Sequence, residues 1–129
     1  EKVDPFLVPL FVELEKWTSP PELKAWKDAG FIECVPLSLM RGRNFINSMV
    51  IADEAQNITY TQFKMLLTRA GEGTKIIVTG DPDQSDIEGN DFIEVYNKLK
   101  DIEGIGLCQL QETDIVRSPI ISQILKALR

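Results

Sequence analysis

Residues 49–57 read MVIADEAQN, a short apolar run, Met49 to Ala52, that stops on two adjacent carboxylates, Asp53 and Glu54. A buried parallel strand carries a continuous Val/Ile-type run because both its faces are covered, and the ligands of such sheets collect beyond its carboxyl end. The two acids therefore stand where a phosphate and its metal ion sit. An Asp at that point holds Mg²⁺ directly or through water, and a carboxylate beside it can orient and deprotonate an attacking water. The plainer alternative is a core strand ending in a solvated turn, since Asp-Glu pairs are common.

A second stretch strengthens the first. Residues 75–84 read KIIVTGDPDQ: a β-branched run, Ile76 to Thr79, followed by Gly80, Asp81 and, three residues on, Gln84. By itself this is a strand and a good Gly-Asp-Pro turn. One helix between two such strands makes a βαβ crossover, which sets the strands parallel and brings their polar ends to one rim of the sheet. Asp53, Glu54, Gln56, Asp81 and Gln84 then face one crevice. A Gln there has both the donor and the acceptor needed to bond a γ-phosphate oxygen or to position a water.

DEAQN, QFKMLLTR at 62–69 and VTGDPDQ, preceded by LMRGR at 39–43 and opened by EKVDP at 1–5, together resemble the PhoH-like family of ATPases, itself similar in its core to superfamily 1 helicases. The resemblance runs from the first residue to about Lys126. It implies an α/β fold of the P-loop NTPase (RecA-like) kind, with a mainly parallel sheet flanked by helices, ATP and Mg²⁺ as cofactors, often a hexameric ring of identical subunits, and in some members RNA unwinding. In that frame Asp53 is the Walker B metal ligand, Glu54 the general base, and Gln84 the γ-phosphate or water sensor. Gln56, Gly80 and Asp81 line the nucleotide. Arg117, in DIVR at 114–117, resembles a family Arg that reaches the nucleotide of an adjacent subunit; the alternative is a surface ion pair with Asp114 or Glu112.

The sequence contains no G-x-x-x-x-G-K-[ST], so the phosphate cradle and its Lys are not among these residues. With Glu1 in place of Met at its start, residues 1–129 read as the C-terminal portion of a PhoH-like ATPase domain, with an incomplete sheet. In a RecA-like sheet the strand before the phosphate loop lies between the Ile76–Thr79 strand and the next one, here expected at Ile105 to Leu110. The competing function is a non-catalytic binding or assembly module that keeps the fold without its phosphate loop.

At 129 residues, 43% hydrophobic and 26% charged, the chain has room for one domain of ordinary globular composition. No apolar stretch is long enough to span a bilayer and the first 17 residues lack the pattern of a signal peptide, so no membrane partner and a cytoplasmic location are expected. Cys34 and Cys108, without a C-x-x-C spacing or any His, read as reduced, buried thiols. The net charge of −6 argues against nucleic-acid binding through overall charge, but leaves room for a local patch. Arg41 and Arg43, flanking Gly42, are either a contact to a nucleic-acid backbone or a neighbouring subunit, or a solvated basic turn.

The remaining elements follow from caps and periodicity. Asp4-Pro5 starts a helix with Leu7, Leu10, Phe11 and Leu14 on one face, which Pro9 kinks or delays. Ser19 to Glu22 is a capping box opening a short helix that Gly30 closes, and Phe31 to Pro36 is a strand candidate. Thr59 with Gln62 is a second capping box; Phe63, Leu66, Leu67 and Ala70 form the core stripe of a helix stopped by Gly71. Asp91 starts a helix with Phe92, Val95, Tyr96 and Leu99 inward, and Ser118-Pro119 caps a last helix carrying Ile121, Ile124, Leu125 and Leu128. The polar segment 81–90 reads as a phosphate-sensing loop or a solvated connection.

Overall fold

The structure is a computed structural model, which describes residues 8–84, 91–111, 114, 116 and 118–127. Two helices lead. Helix α1 is Val8–Glu15 and α2 is Pro20–Asp28. Ser19 opens α2: its Oγ accepts the Glu22 N–H at 3.4 Å, while Glu22 Oε2 accepts the Ser19 N–H at 3.2 Å. Both partners are thereby satisfied by the capping box, and the two prolines occupy first-turn positions whose N–H groups have no partner within the helix. Gly30, at φ 74°, ends the segment in the left-handed region, where a Cβ is unfavourable. Lys27 Nζ lies 4.2 Å from the centre of the Phe11 ring, a cation–π contact between the two helices.

The centre of the fold is the crossover that the sequence implies. Strand β1, Met49–Ala52, pairs in parallel with β2, Lys75–Val78, in the register Met49 to Lys75 through Ala52 to Val78. Helix α3, Tyr60–Leu67, makes the connection, opened by the Thr59–Gln62 capping box. Helix α4, Asp91–Leu99, lies against α3, and the Asp91 carboxylate accepts the N–H of Tyr60 at 2.8 Å. That bond places a negative charge at the amino end of α3, where the helix dipole favours it.

The core forms beside the carboxyl ends of the strands. Ala55, Ile58, Phe63 and Val95 are buried together, with Ala52, Val78, Leu67, Phe92 and Leu99 packed around them. Phe63 is 2% exposed and its ring centre lies 6.1 Å from that of Phe92. Burying a side chain of that size stabilises by about 1.5–3 kcal/mol. The turn that carries Ala55 and Ile58 is thus fixed from beneath by the same cluster that fixes α3 and α4.

Three expectations are corrected. Ile105 to Leu110 is irregular and pairs with neither strand, so among the described residues the sheet has two strands and β2 keeps an open edge. Phe31 to Pro36 is likewise bend and coil. Apolar runs of this length form strands only where a neighbouring strand satisfies their backbone, and neither run is paired with β1 or β2. The cysteines in these two segments are therefore exposed thiols and not buried ones. The last helix, α5, forms as expected over Pro119–Ala127, with Ile121 and Ile124 38% and 45% exposed. Elsewhere, α3 ends at Leu67, before Ala70 and Gly71, and the described part of the first helix runs from Val8 through Pro9. The Asp4-Pro5 start, Leu7 and Leu128 lie outside the described residues.

Candidate functional site

Because β1 and β2 are parallel and in register, the residues that follow them emerge side by side. The Thr79 N–H donates to Ala52 O at 2.9 Å, and the Ala55 N–H donates to Thr79 O at 2.9 Å, so the pairing continues past the last strand residue into the DEAQ turn. Asp53 and Thr79 are brought face to face: Thr79 Oγ1 donates to Asp53 Oδ1 at 2.5 Å. The hydroxyl engages one carboxylate oxygen and fixes the side-chain direction. Thr79 was not singled out by the sequence reading, which saw it only as the end of a strand; its partner lies 26 residues away and becomes visible only once the register is known.

Glu54 adopts φ 54°, ψ 39°, the left-handed conformation. For a residue with a Cβ this costs roughly 1–2 kcal/mol, and such strain persists where neighbouring structure enforces it. Here the enforcement comes from the short 3₁₀ turn Ala55–Asn57, whose Ala55 and Gln56 are fully buried, at 0% and 1% exposure. Gln56 Nε2 donates to Glu54 Oε2 at 2.5 Å, and Gln56 Oε1 accepts the N–H of Asp81 at 3.0 Å. Gly80 makes this approach possible: a Cβ there would lie 3.0 Å from Gln56 Oε1, 3.1 Å from Gln56 N and 3.3 Å from Ala55 N.

On the β2 side, Asp81 organises its own turn. Its Oδ1 accepts the Asp83 N–H at 3.0 Å, its Oδ2 accepts Gln84 Nε2 at 2.6 Å, and its carbonyl accepts the Gln84 N–H at 3.0 Å. The side chain of Gln84 is folded onto Asp81 at the exposed rim. Asp53, Glu54, Gly80, Asp81 and Gln84 thus fall on one rim, and Gln56, which the sequence also placed there, is buried beneath it. A cavity of about 580 Å³ follows β1 from Met49 through Ile51 and has Asp53 among its lining residues.

The residues present fit a nucleotide-bound Mg²⁺. Among the described residues, no three His, Cys, Asp or Glu side chains gather to hold a metal by themselves. Mg²⁺ does not require such a cage, because it is commonly bound by one or two carboxylates, water and substrate phosphates. Asp53, a hard oxygen donor oriented by a hydroxyl at a strand end, is suited to that part.

Comparison with known proteins now decides the family. All 129 residues match the family model described as PhoH-like protein. The chain is 44% identical over 130 aligned positions to a PhoH-like protein of Synechocystis, covering 98% of this chain and 40% of that protein. It is 42% identical to the PhoH-like protein of Bacillus subtilis, with 98% and 41% covered. To Protein PhoH of Escherichia coli K12 it is 38% identical over 103 positions, with 78% and 29% covered.

The chain belongs to the PhoH-like family. It spans about two fifths of the length of the first two of these relatives. Family membership implies a P-loop NTPase of the nucleotide-binding kind, and the β1–α3–β2 crossover is the part of such an α/β architecture present in this PhoH-like chain.

Arg43 is engaged by an acidic partner. Arg43 forks onto Glu33, with Nη1 to Oε1 at 3.0 Å and Nη2 to Oε2 at 2.6 Å, and lies 5.9 Å from the Phe45 ring centre. The pair's hydrogen bonding holds the Glu33 carboxyl below its usual range and raises Arg43 further. Arg41 is exposed on the same turn, and Arg117 lies outside the described residues. Among the described helices, none is long and apolar enough to cross a membrane.

Proposed function

We propose that this chain supplies the metal and water side of a Mg²⁺-dependent ATPase site, with the phosphate-binding side contributed by the rest of a PhoH-like protein. One observation carries the reading: two adjacent carboxylates leave the end of a parallel strand, and each is held by a partner from the neighbouring strand's end or from the buried turn. A solvated turn needs neither the left-handed Glu54 nor the buried Gln56 beneath it.

In this reading Asp53 binds Mg²⁺, which supplies charge neutralisation on the phosphates when bound. Thr79 keeps Asp53 aimed. Glu54 accepts the proton of the attacking water, a role for which its carboxylate is held at the rim and open to solvent. Gln84, now bonded to Asp81, exchanges that bond for the γ-phosphate or the water when nucleotide is present; Gly80 and Asp81 shape the floor it moves over. The family resemblance supports the wider setting proposed for the whole protein: a homo-oligomeric, hexameric ring in the cytoplasm, Arg117 reaching an adjacent subunit's nucleotide, and hydrolysis coupled to RNA remodelling, with Arg41 and Arg43 at a subunit or nucleic-acid contact.

The test is Mg²⁺-dependent nucleotide binding by the full-length protein. Asp53→Ala should weaken binding of ATP in the presence of Mg²⁺ by at least tenfold and leave the weak binding seen with a chelator unchanged. Equal affinity of the variant and the parent in Mg²⁺ would remove Asp53 from the metal and with it this assignment.

A further inference from the structure

Among the described residues, Gln56 is the one buried polar side chain at the rim, and both ends of its amide are used. The assignment of its two ends is set by chemistry: a backbone N–H requires an acceptor and a carboxylate requires a donor, so Oε1 must face Asp81 and Nε2 must face Glu54. An uncharged side chain that both donates and accepts across that distance is met by Gln. Met, of similar length, offers neither function, and Asn is one methylene short of spanning both partners.

The geometry points to Gln56 as a positioning residue that acts through Glu54, locking the Glu54 carboxylate to the backbone of the β2 turn so that the water-activating group and the Asp81–Gln84 turn move as one body. Its place beneath the rim argues against direct contact with nucleotide, because at 1% exposure it offers no surface to a ligand. Three independent features converge on it: the left-handed Glu54, which must be held; the Gly80 position, where a Cβ would press on Gln56 Oε1 from 3.0 Å; and the Asp81 N–H, which takes its acceptor from this side chain. Gln84 is fastened to Asp81 through its side chain and its N–H, so the Gln56 bond ties base and sensor together.

The inference rests on the ATPase reading for its catalytic consequence, but its structural part is tested separately. In the full-length protein, Gln56→Met should lower kcat about 10–100-fold while the Kd for Mg²⁺–ATP changes less than about threefold, the pattern of a misplaced group and not of a lost ligand contact. In a Glu54→Gln background the same substitution should cost no further turnover, because residues acting through one another are not additive. Gln56→Asn, which keeps an amide at the site, should show the same loss. Hydrogen exchange at the Asp81 amide should accelerate at least tenfold in Gln56→Met, with exchange at the Phe63 and Leu66 amides of α3 unchanged if the core stands. A full multiplicative effect in the Glu54→Gln background, a fall in nucleotide affinity at normal kcat, or normal turnover in Gln56→Asn would overturn the positioning role. Unchanged exchange at Asp81 in Gln56→Met would overturn the lock itself, whatever the catalytic data. Normal turnover in Glu54→Gln alone would instead remove the ATPase role of Glu54, leaving the lock to be decided by the exchange measurement.

Discussion

Gly80→Ala tests the packing of the rim with one methyl group. The added Cβ would sit 3.0 Å from Gln56 Oε1, 3.1 Å from Gln56 N and 3.3 Å from Ala55 N, all inside ordinary van der Waals separation. Two of the three neighbours are backbone, and Ala55 N is held by its bond to Thr79 O at 2.9 Å, so the relief must come from moving the DEAQ turn. Forcing an extra methyl into such a place costs about 1–3 kcal/mol. Against that, exchanging Gly for Ala stabilises by about 0.4–1 kcal/mol through the unfolded chain. The steric term wins across nearly all of that range, for a net loss of up to about 2.6 kcal/mol. Gly106→Ala is the internal control, since a Cβ there meets nothing within 4 Å and its φ is not in the left-handed region. Urea unfolding of both variants, read by the exchange of core amides, should show Gly80→Ala destabilised and Gly106→Ala neutral or slightly stabilised. Equal stability of the two would refute the claim that Gly80 is required by the approach of Gln56.

Thr59→Ala removes the capping box of α3 and should cost about 1 kcal/mol in the same unfolding experiment, with Thr59→Ser restoring most of it. The Arg43–Glu33 pair should be acid-labile: Glu33 has a folded-state value below its ordinary 4.5, so its contribution is present above 4.5 and is lost as pH falls through the lowered value. A titration of the Glu33 carboxyl by NMR should find it below 4.5 in the parent and back near 4.5 in Arg43→Ala. Gln84→Ala should slow ATP hydrolysis while leaving ADP affinity within about twofold, because ADP lacks the group a γ-phosphate sensor contacts; a matched loss of ADP and ATP binding would make Gln84 a turn residue only.

Legibility in the sequence followed the range of the interactions. The crossover and both capping boxes were readable because each depends on neighbours a few residues away: a β-branched run, a Ser or Thr three positions before Glu or Gln, a helical stripe. Asp53, Glu54, Asp81 and Gln84 were readable as rim residues because parallel pairing alone puts the ends of two strands together. What the sequence could not display were contacts set by register and burial. The Thr79–Asp53 bond depends on which residue of β2 stands opposite Ala52, and the placement of Gln56 beneath the rim depends on Glu54 turning left-handed. Ile105 to Leu110 and Phe31 to Pro36 were misread for the complementary reason. Their apolar runs suit a strand, but strand formation needs a partner edge, which no local pattern encodes. Arg43 read either as a nucleic-acid or subunit contact or as a solvated basic turn, and neither reading included Glu33, ten residues earlier, which matches its charge.

The proposed role of Glu54, activating water for cleavage of a Mg²⁺-bound nucleotide, is read out by steady-state ATP hydrolysis of full-length Glu54→Gln, measured beside its affinity for Mg²⁺–ATP. Loss of a general base lowers turnover by roughly 10²–10⁴-fold, and the neutral amide leaves the Asp53 metal position in place. Glu54→Gln should therefore bind Mg²⁺–ATP as the parent does and barely hydrolyse it; hydrolysis at the parental rate would remove Glu54 as the base.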